Sequence, residues 1–198
     1  EHTQQHAMKQ LWLLVGGNGA GKSTFYRLVL EPLGLPFVNA DRLAQLVYPG
    51  AEEERSYEAA LLAEQQRNTL LLSGASFCFE TLYSHPSKID FTARAKALGY
   101  CVIIVVIHLE QAELNTARVA QRVREGGHND PTEKLLKRIP RMLEQVKASI
   151  PLCDEVRVFD NSSAEDPFQP VMTIKMGEVE LHQHPVPRWA APLLAREG

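Results

Sequence analysis

One short segment combines closely spaced glycines with a lysine and a hydroxyl side chain. Residues 16–23 have the sequence GGNGAGKS, which fits the pattern G-x-x-x-x-G-K-[ST] at every fixed position. Glycines let a loop curl so that successive backbone N–H groups point at phosphate oxygens, and a following helix adds its partial positive charge. A Rossmann dinucleotide site is excluded, because Lys22 stands where G-x-G-x-x-G needs its last glycine. The segment therefore predicts a P-loop (Walker A motif) that binds ATP.

The residues of this loop receive separate predicted roles. We expect Lys22 to reach the β- and γ-phosphates, and the Ser23 hydroxyl to hold Mg²⁺. Backbone N–H groups supply the other contacts to the phosphates. The predicted nucleotide-binding residues are Gly16, Gly17, Asn18, Gly19, Ala20, Gly21, Lys22, Ser23 and Thr24.

Two carboxylates stand at the ends of predicted strands. Asp41 follows the short run at 37–39, and Glu80 ends the run at 76–80. Ligands of parallel sheets sit outside the carboxyl ends of the strands, so both side chains are expected near the γ-phosphate. Asp41 is predicted to be the general base for an acceptor hydroxyl, with a helix cap as the alternative. Glu80 is predicted to bind Mg²⁺ through water or the acceptor's hydroxyls, with a salt bridge as the alternative.

Arginines are concentrated further along the chain. Residues 118–131 have the sequence RVAQRVREGGHNDP, in which a double glycine separates a predicted helix from the next one. The next helix also carries basic residues, namely Lys137, Arg138 and Arg141. We interpret this region as a helical lid whose arginines close over the triphosphate and stabilise charge that develops during transfer. A solvated basic helix face is the alternative.

The elements that must position these residues alternate between strand and helix. Strands are predicted at 11–15, 37–39, 76–80, 101–107 and 155–160, and helices at 22–30, 43–47, 52–72, 89–98, 111–124 and 132–148. Residues 171–182 alternate around Gly177 as a β-hairpin does. The predicted fold class is α/β: a P-loop NTPase (kinase-like) parallel sheet flanked by helices, with a helical lid and a C-terminal β-hairpin. We expect a single domain at 8–198, with 1–7 as an expression remnant or disordered arm.

Composition excludes some partners. The net charge of −3 argues against nucleic acid, which usually requires a basic face. The apolar runs have the length of strands and are too short to span a membrane. Three scattered cysteines do not form a disulfide framework, so a cytoplasmic location is expected.

Taken together, the motifs resemble those of the zeta-toxin-like kinases. The resemblance rests on GGNGAGKST at 16–24, VNAD at 38–41, FET at 79–81 and RVREGGHNDP from Arg122, and it extends over about residues 11–161. It implies an ATP- and Mg²⁺-dependent kinase that phosphorylates the 3'-hydroxyl of the amino sugar in UDP-N-acetylglucosamine. If the protein is a toxin, the resemblance also implies a small antitoxin protein that obstructs the ATP site.

Roles carry over from the family motif by motif. Lys22 and Ser23 would hold phosphate and Mg²⁺, and Asp41 would be the base. Glu80 and Thr81 would line the acceptor site, and Arg122 would be the lid arginine. The second phosphate-binding arginine is assigned to Arg138, with Arg141 and Arg124 as alternatives. Independently of the resemblance, we expect Asn161, after the fifth strand, to border the adenine.

Two other functional classes are open at this point. A regulatory or mechanical ATPase normally has a carboxylate at the end of an apolar strand, and the run at 103–109 has none. A nucleotide-binding protein without catalysis would use Asp41 and Glu80 only as structural groups.

Overall fold

The structure is a computed structural model that describes residues 8–109 and 131–194, and for 131–137 it describes the backbone only. The predicted helix at 111–124, and with it the lid residues Arg122 and Arg124, lies outside the described residues.

A seven-stranded sheet forms the centre of the protein, in the order β2-β3-β1-β4-β5-β6-β7. Its strands are β1 (Gln10–Val15), β2 (Phe37–Val38), β3 (Phe77–Thr81), β4 (Cys101–His108), β5 (Glu155–Asp160), β6 (Gln169–Lys175) and β7 (Glu178–Leu181). The first five are mutually parallel, whereas β6 and β7 form an antiparallel hairpin that adds to the free edge of β5. The predicted parallel sheet and the predicted C-terminal hairpin are thus confirmed.

The helices differ from the predicted ones mainly at their ends. They are α1 (Lys22–Phe25), α2 (Ala40–Val47), α3 (Ser56–Ser73), α4 (Ser87–Ala97) and α5 (Pro131–Ser149). The predicted helix at 22–30 is α-helical only in its first turn, and a π-helical segment (Tyr26–Leu30) continues it. Helix α2 begins three residues earlier than predicted, directly after β2, because Asn39 caps it.

Strand β4 shows why the sheet is covered on both faces. Its side chains alternate between two apolar clusters, as the period of a strand requires. One cluster contains Val102, Ile104 and Val106 together with residues of α3, α4 and α5. The other contains Ile103, Val105 and Ile107 together with Phe25 of α1 and residues of the π-helical segment that follows it. A strand buried on both faces has a continuous apolar sequence, which is the pattern that identified it.

The register of the parallel strands brings their carboxyl ends to one edge. Val15 at the end of β1 lies opposite Thr81 of β3 and Val106 of β4, and His108 lies opposite Asp160 of β5. The loops that leave this edge carry the predicted site residues. Within residues 8–109 and 131–194, none of the helices combines the length and apolar character needed to cross a bilayer.

Candidate active site

The loop after β1 is folded tightly against the sheet. The Gly16 N–H donates to the Thr81 carbonyl oxygen at 3.4 Å, and a Cβ added at Gly16 would lie 2.5 Å from the Ile107 carbonyl oxygen. At the other end of the loop, Gly21 has a φ of 111° and immediately precedes α1. A side chain would collide at the first glycine and would be strained at the last one.

Lys22 is fixed at the base of this loop. Its side chain is 7% exposed, and its Nζ donates a hydrogen bond to the Gly16 carbonyl oxygen at 2.7 Å. The hydrogen bond holds the ammonium group across the loop, where it adds positive charge to the inward-facing N–H groups. A buried, positioned lysine is what phosphate binding in a P-loop requires.

Asn161 supports the loop from behind. Its Nδ2 donates to the Ala20 carbonyl oxygen at 3.0 Å, and its Oδ1 accepts from the Phe168 N–H at 3.0 Å. Both ends of the amide are therefore used inside the protein, and Nδ2 would lie 2.6 Å from a Cβ at Gly21. Sequence reasoning placed Asn161 beside the adenine, which stays a prediction, and it missed this supporting role.

Asn39, and not Asp41, caps helix α2. The backbone of Asn39 is extended, with φ −143° and ψ 121°, and its Oδ1 accepts from the N–H groups of Asp41 at 2.7 Å and Arg42 at 3.3 Å. The alternative that Asp41 serves as the cap is therefore wrong. Asp41 lies in the first turn of the helix, is exposed, and lines an open cleft together with residues of the loop.

Glu80 is the more enclosed of the two carboxylates. Burial is the main effect that raises its pKa above the usual range, and the negative charge of Asp41 raises it further. The Lys22 ammonium and a hydrogen bond from Asn39 oppose this increase in the pKa. Burial favours the neutral acid, so an added cation at this place would favour the ionised form.

One open cleft of about 460 Å³ brings the predicted residues together. Residues of the loop and of the start of α1 line it together with the two carboxylates; the lining residues are Asn18, Gly19, Gly21, Lys22, Ser23, Thr24, Asp41 and Glu80. Gly16, Gly17 and Ala20 belong to the same loop, behind its inner surface. The cleft can therefore hold a polyphosphate at the loop and an acceptor beside the carboxylates.

Outside the loop, Thr81 and Arg138 are predicted site residues that do not line this cleft. The Thr81 hydroxyl accepts a hydrogen bond from the Tyr83 N–H at 2.9 Å, which closes the turn after β3. Arg138 lies half-buried on α5. The acceptor-binding role of Thr81 and the phosphate-binding role of Arg138 stay predictions, and Arg122 lies outside the described residues.

The donors in the cleft suit Mg²⁺. In the described ranges, 8–109 and 131–194, no group of three or more His, Cys, Asp or Glu side chains could hold a metal by itself. The cleft instead offers the Ser23 hydroxyl beside the carboxylates of Asp41 and Glu80. Hard oxygen ligands in small number, completed by water and by nucleotide phosphates, are the usual environment of Mg²⁺.

A buried histidine at the end of β4 was not singled out by the sequence. The His108 side chain is 3% exposed and stacks on Trp189, with ring centroids 4.2 Å apart. Burial lowers its pKa to about 4, although Asp160 acts in the opposite direction, so the ring is neutral near pH 7. The only sequence signal was one polar residue that closes an otherwise apolar strand.

Comparison with known proteins supports the fold. The sequence profile of a family described as "AAA domain" matches residues 11–148. An uncharacterised protein of Haemophilus influenzae is 27% identical over 127 residues, which are 61% of this chain and 90% of that protein.

Two solved structures have a similar fold. A structure from the PezAT chromosomal toxin–antitoxin system of Streptococcus pneumoniae has a TM-score of 0.55 at 14% identity, and the match covers 77% of this chain and 68% of that one. The AvrRxo1-ORF1:-ORF2 structure with ATP has a TM-score of 0.65 at 17% identity, covering 98% of this chain and 67% of that one. The family match contains the P-loop and both carboxylates and spans well over half of the sequence, so the chain belongs to this AAA-domain family of P-loop proteins.

Proposed function

We propose that the protein is a cytoplasmic, ATP-dependent kinase that transfers the γ-phosphoryl group to the 3'-hydroxyl of a UDP-amino sugar such as UDP-N-acetylglucosamine. One observation carries the proposal: a single cleft is lined by Lys22 and Ser23 of the P-loop motif together with two carboxylates, Asp41 and Glu80. A loop that only binds nucleotide does not need acidic side chains facing the transferred phosphate. The motifs around these residues support the zeta-toxin type of acceptor.

The loop and Lys22 position the donor. Inward-facing N–H groups and the Nζ of Lys22 bind the β- and γ-phosphates, and the hydrogen bond from Nζ to the Gly16 carbonyl keeps the ammonium in place. When bound at Ser23, Mg²⁺ neutralises negative charge on the two terminal phosphates. The protein's main contribution at this end of the cleft is position and positive charge.

Asp41 prepares the acceptor. Its carboxylate accepts the proton of the sugar hydroxyl, whose oxygen forms the new bond to the γ-phosphorus as the bond to the β–γ bridging oxygen breaks. ADP leaves with the bridging oxygen. Because Asn39 already caps α2, the Asp41 side chain is available for this role. Glu80 lies beside it and accepts hydrogen bonds from other acceptor hydroxyls.

Support for a protein partner comes from the two similar structures. One is described as part of a toxin–antitoxin system and the other as a complex of two open-reading-frame products. By analogy with these two structures, we propose that a small antitoxin protein binds this chain and covers the ATP cleft. Growth arrest upon expression of this chain, and no arrest for D41N, would support that extension.

A nucleotide-binding or ATP-hydrolysing protein without a sugar acceptor is the rival. Strand β4 ends in a buried, neutral histidine and has no carboxylate there, which does not favour an ATPase of the mechanical type. The two readings differ in the fate of the γ-phosphate: the kinase transfers it to an alcohol, and the ATPase releases it to water.

The deciding experiment incubates the protein with ATP, Mg²⁺ and a panel of nucleotide sugars, and detects phosphorylated product by mass spectrometry. We expect one UDP-amino sugar to gain a phosphate at its 3'-oxygen. The Lys22→Met variant is the control, because it should lose donor binding. ADP formation without any phosphorylated sugar would overturn the acceptor assignment.

A further inference from the structure

A second cavity, of about 210 Å³, lies between helices α3 and α4. Basic groups predominate in it: Arg67 enters from α3, and Lys88 and Arg94 enter from α4. Glu64 and Asp90 also line the cavity. The functional-site residues described above take no part in it.

Two of the cationic side chains make cation–π contacts with the same aromatic ring, that of Phe79. The guanidinium carbon of Arg67 lies 5.0 Å from the centroid of the Phe79 ring, and the Nζ of Lys88 lies 6.0 Å from the same centroid. Phe79 is fully buried in the core beneath them. Cation–π contacts of this kind hold both head groups near the Phe79 ring, and both side chains are half-buried.

Among the described residues, no carboxylate forms a close ion pair with either of these two groups. Ion pairs within 4 Å in the described part of the chain join other residues, and none joins Arg67 or Lys88 to a carboxylate. Burial lowers the pKa of both groups, and the neighbouring Arg67 lowers that of Lys88 further; Glu64 opposes both changes. Two half-buried positive charges held close together leave a place for an anion.

We propose that this cavity is a binding site for a small phosphomonoester that carries hydroxyl groups. The planar fork of Arg67 and the compact ammonium of Lys88 would bind the phosphate dianion. Arg94, whose guanidinium donates to Asn68 at 3.3 Å, would add charge at the mouth. Glu64 and Asp90 offer acceptors for hydroxyl groups, which favours a phosphorylated polyol over a bare phosphate. The cavity has less than half the volume of the nucleotide cleft, so it selects a compact ligand.

The site is separate from the P-loop. Side chains of successive strand residues point to opposite faces of a sheet, so Phe79 and Glu80 face opposite sides. Phe79 packs in the cluster under α3 and α4, whereas Glu80 lines the nucleotide cleft. Occupation of the small cavity therefore does not require ATP and does not compete with it, and this proposal is independent of the kinase proposal.

Lys88 itself provides a local measurement of occupancy. Acetylation near neutral pH, mapped by mass spectrometry, is followed at Lys88 and at the exposed Lys175 of β6 as the internal control. The Lys22→Met background removes phosphate binding at the P-loop. We expect glycerol phosphate, at a concentration ten times its dissociation constant, to slow acetylation of Lys88 about tenfold and to leave Lys175 unchanged.

Variants and control ligands decide the outcome. In the Lys22→Met background, Arg67→Gln should abolish the protection of Lys88, and Arg94→Gln should weaken it. With Lys22 retained, Arg67→Gln should leave the Mg-ATP affinity, measured by calorimetry, unchanged. If Arg67→Gln does not fold, as judged by circular dichroism, the test is the weaker protection expected for Arg94→Gln, and unchanged protection in that variant would overturn the site. Protection of Lys88 that persists in a folded Arg67→Gln variant would overturn the site. Equal protection by glycerol, or by sodium chloride at the same ionic strength as the glycerol phosphate, would also overturn it. Equal protection by inorganic phosphate would overturn the polyol assignment.

Discussion

The two sides of the nucleotide cleft are built in different ways. The loop side is closely packed at its two ends: an added Cβ would lie 2.5 Å from the Ile107 carbonyl oxygen at Gly16 and 2.6 Å from the Asn161 Nδ2 at Gly21. The carboxylate side consists of Asp41, which is exposed in the first turn of α2, and Glu80, which is half-buried near the end of β3. Backbone contacts cannot be changed without moving the chain, whereas a carboxylate can be replaced without moving its neighbours.

This difference separates binding from chemistry. The loop provides N–H groups that any nucleoside triphosphate can use, because phosphates are common to all of them. The carboxylates provide the groups that act on one acceptor hydroxyl. Substitutions on the loop side should therefore affect nucleotide affinity and folding, and substitutions on the carboxylate side should affect transfer.

The largest effect is expected for Asp41→Asn. The amide is nearly isosteric and keeps the N–H that Asn39 binds, so the helix cap is retained. Phosphoryl transfer should fall by about 10²–10⁴-fold because the general base is lost. Single-turnover transfer and Mg-ATP calorimetry measure the two properties separately.

The exposed Glu53→Gln substitution is the matched control and should change neither property. Transfer by Asp41→Asn at the parent rate would refute the assignment of Asp41 as base. Loss of ATP binding in Asp41→Asn would instead show that nucleotide binding and transfer do not depend on separate sides of the cleft.

Gly16→Ala should have the next largest effect, and it should act on stability and nucleotide affinity, in contrast to Asp41→Asn, which acts on transfer. Its Cβ would lie 2.5 Å from a backbone oxygen, so the loop or strand β4 must shift. We expect a loss of about 1–3 kcal/mol in the free energy of unfolding, with much weaker Mg-ATP binding. Denaturant titration and calorimetry measure the two effects.

Gly19→Ala is the comparison for that variant. Gly19 has a φ of 79° but nothing within 4 Å of an added Cβ, so it tests backbone strain without collision. A Gly16→Ala protein as stable as the parent would show that the loop is less constrained than the backbone contacts indicate.

Asn161→Ala should weaken ATP binding by a smaller amount. The substitution removes the donor to the Ala20 carbonyl and the acceptor for the Phe168 N–H, which leaves two backbone groups unpaired. Loss of such contacts destabilises by about 1–2 kcal/mol. Asn161→Asp should bind ATP more weakly than Asn161→Ala, because its carboxylate lies behind the phosphate site. Equal affinities for the parent and both variants would remove Asn161 from the support of the loop.

The features of the fold and of the candidate site that could be predicted from the sequence are those with a local sequence pattern. The P-loop motif is contiguous, and the apolar run of β4 is contiguous, so both could be recognised from residues next to one another. The carboxylates at 41 and 80 could be placed at the same edge because parallel strands end together. The hairpin alternation around Gly177 was also visible, but not that the hairpin would pair with β5.

Contacts between distant segments could not be predicted. Asn161 and Ala20 are 141 positions apart, and nothing local shows that they meet. The cap of α2 depends on which residue keeps an extended backbone, and both Asn39 and Asp41 are good capping types. The same applies to Arg67 and Lys88, whose proximity depends on how α3 packs beside α4.

Glu80→Gln should give the smallest effect and should show the cost of placing a half-buried acid in the cleft. Because the folded pKa of Glu80 is raised, the ionised group destabilises the free protein at neutral pH, and this penalty disappears as the pH falls through that pKa. Replacement by the neutral amide should therefore stabilise the protein at pH 7 by roughly a few tenths of a kcal/mol, since solvent screens part of the charge. The difference should shrink in acid, which denaturant unfolding at several pH values measures, and the exposed Glu53→Gln control should show no such trend. A Glu80→Gln protein that is less stable than the parent at pH 7 would mean that its attraction to Lys22 outweighs burial, and that the carboxylate side is as tightly integrated as the loop.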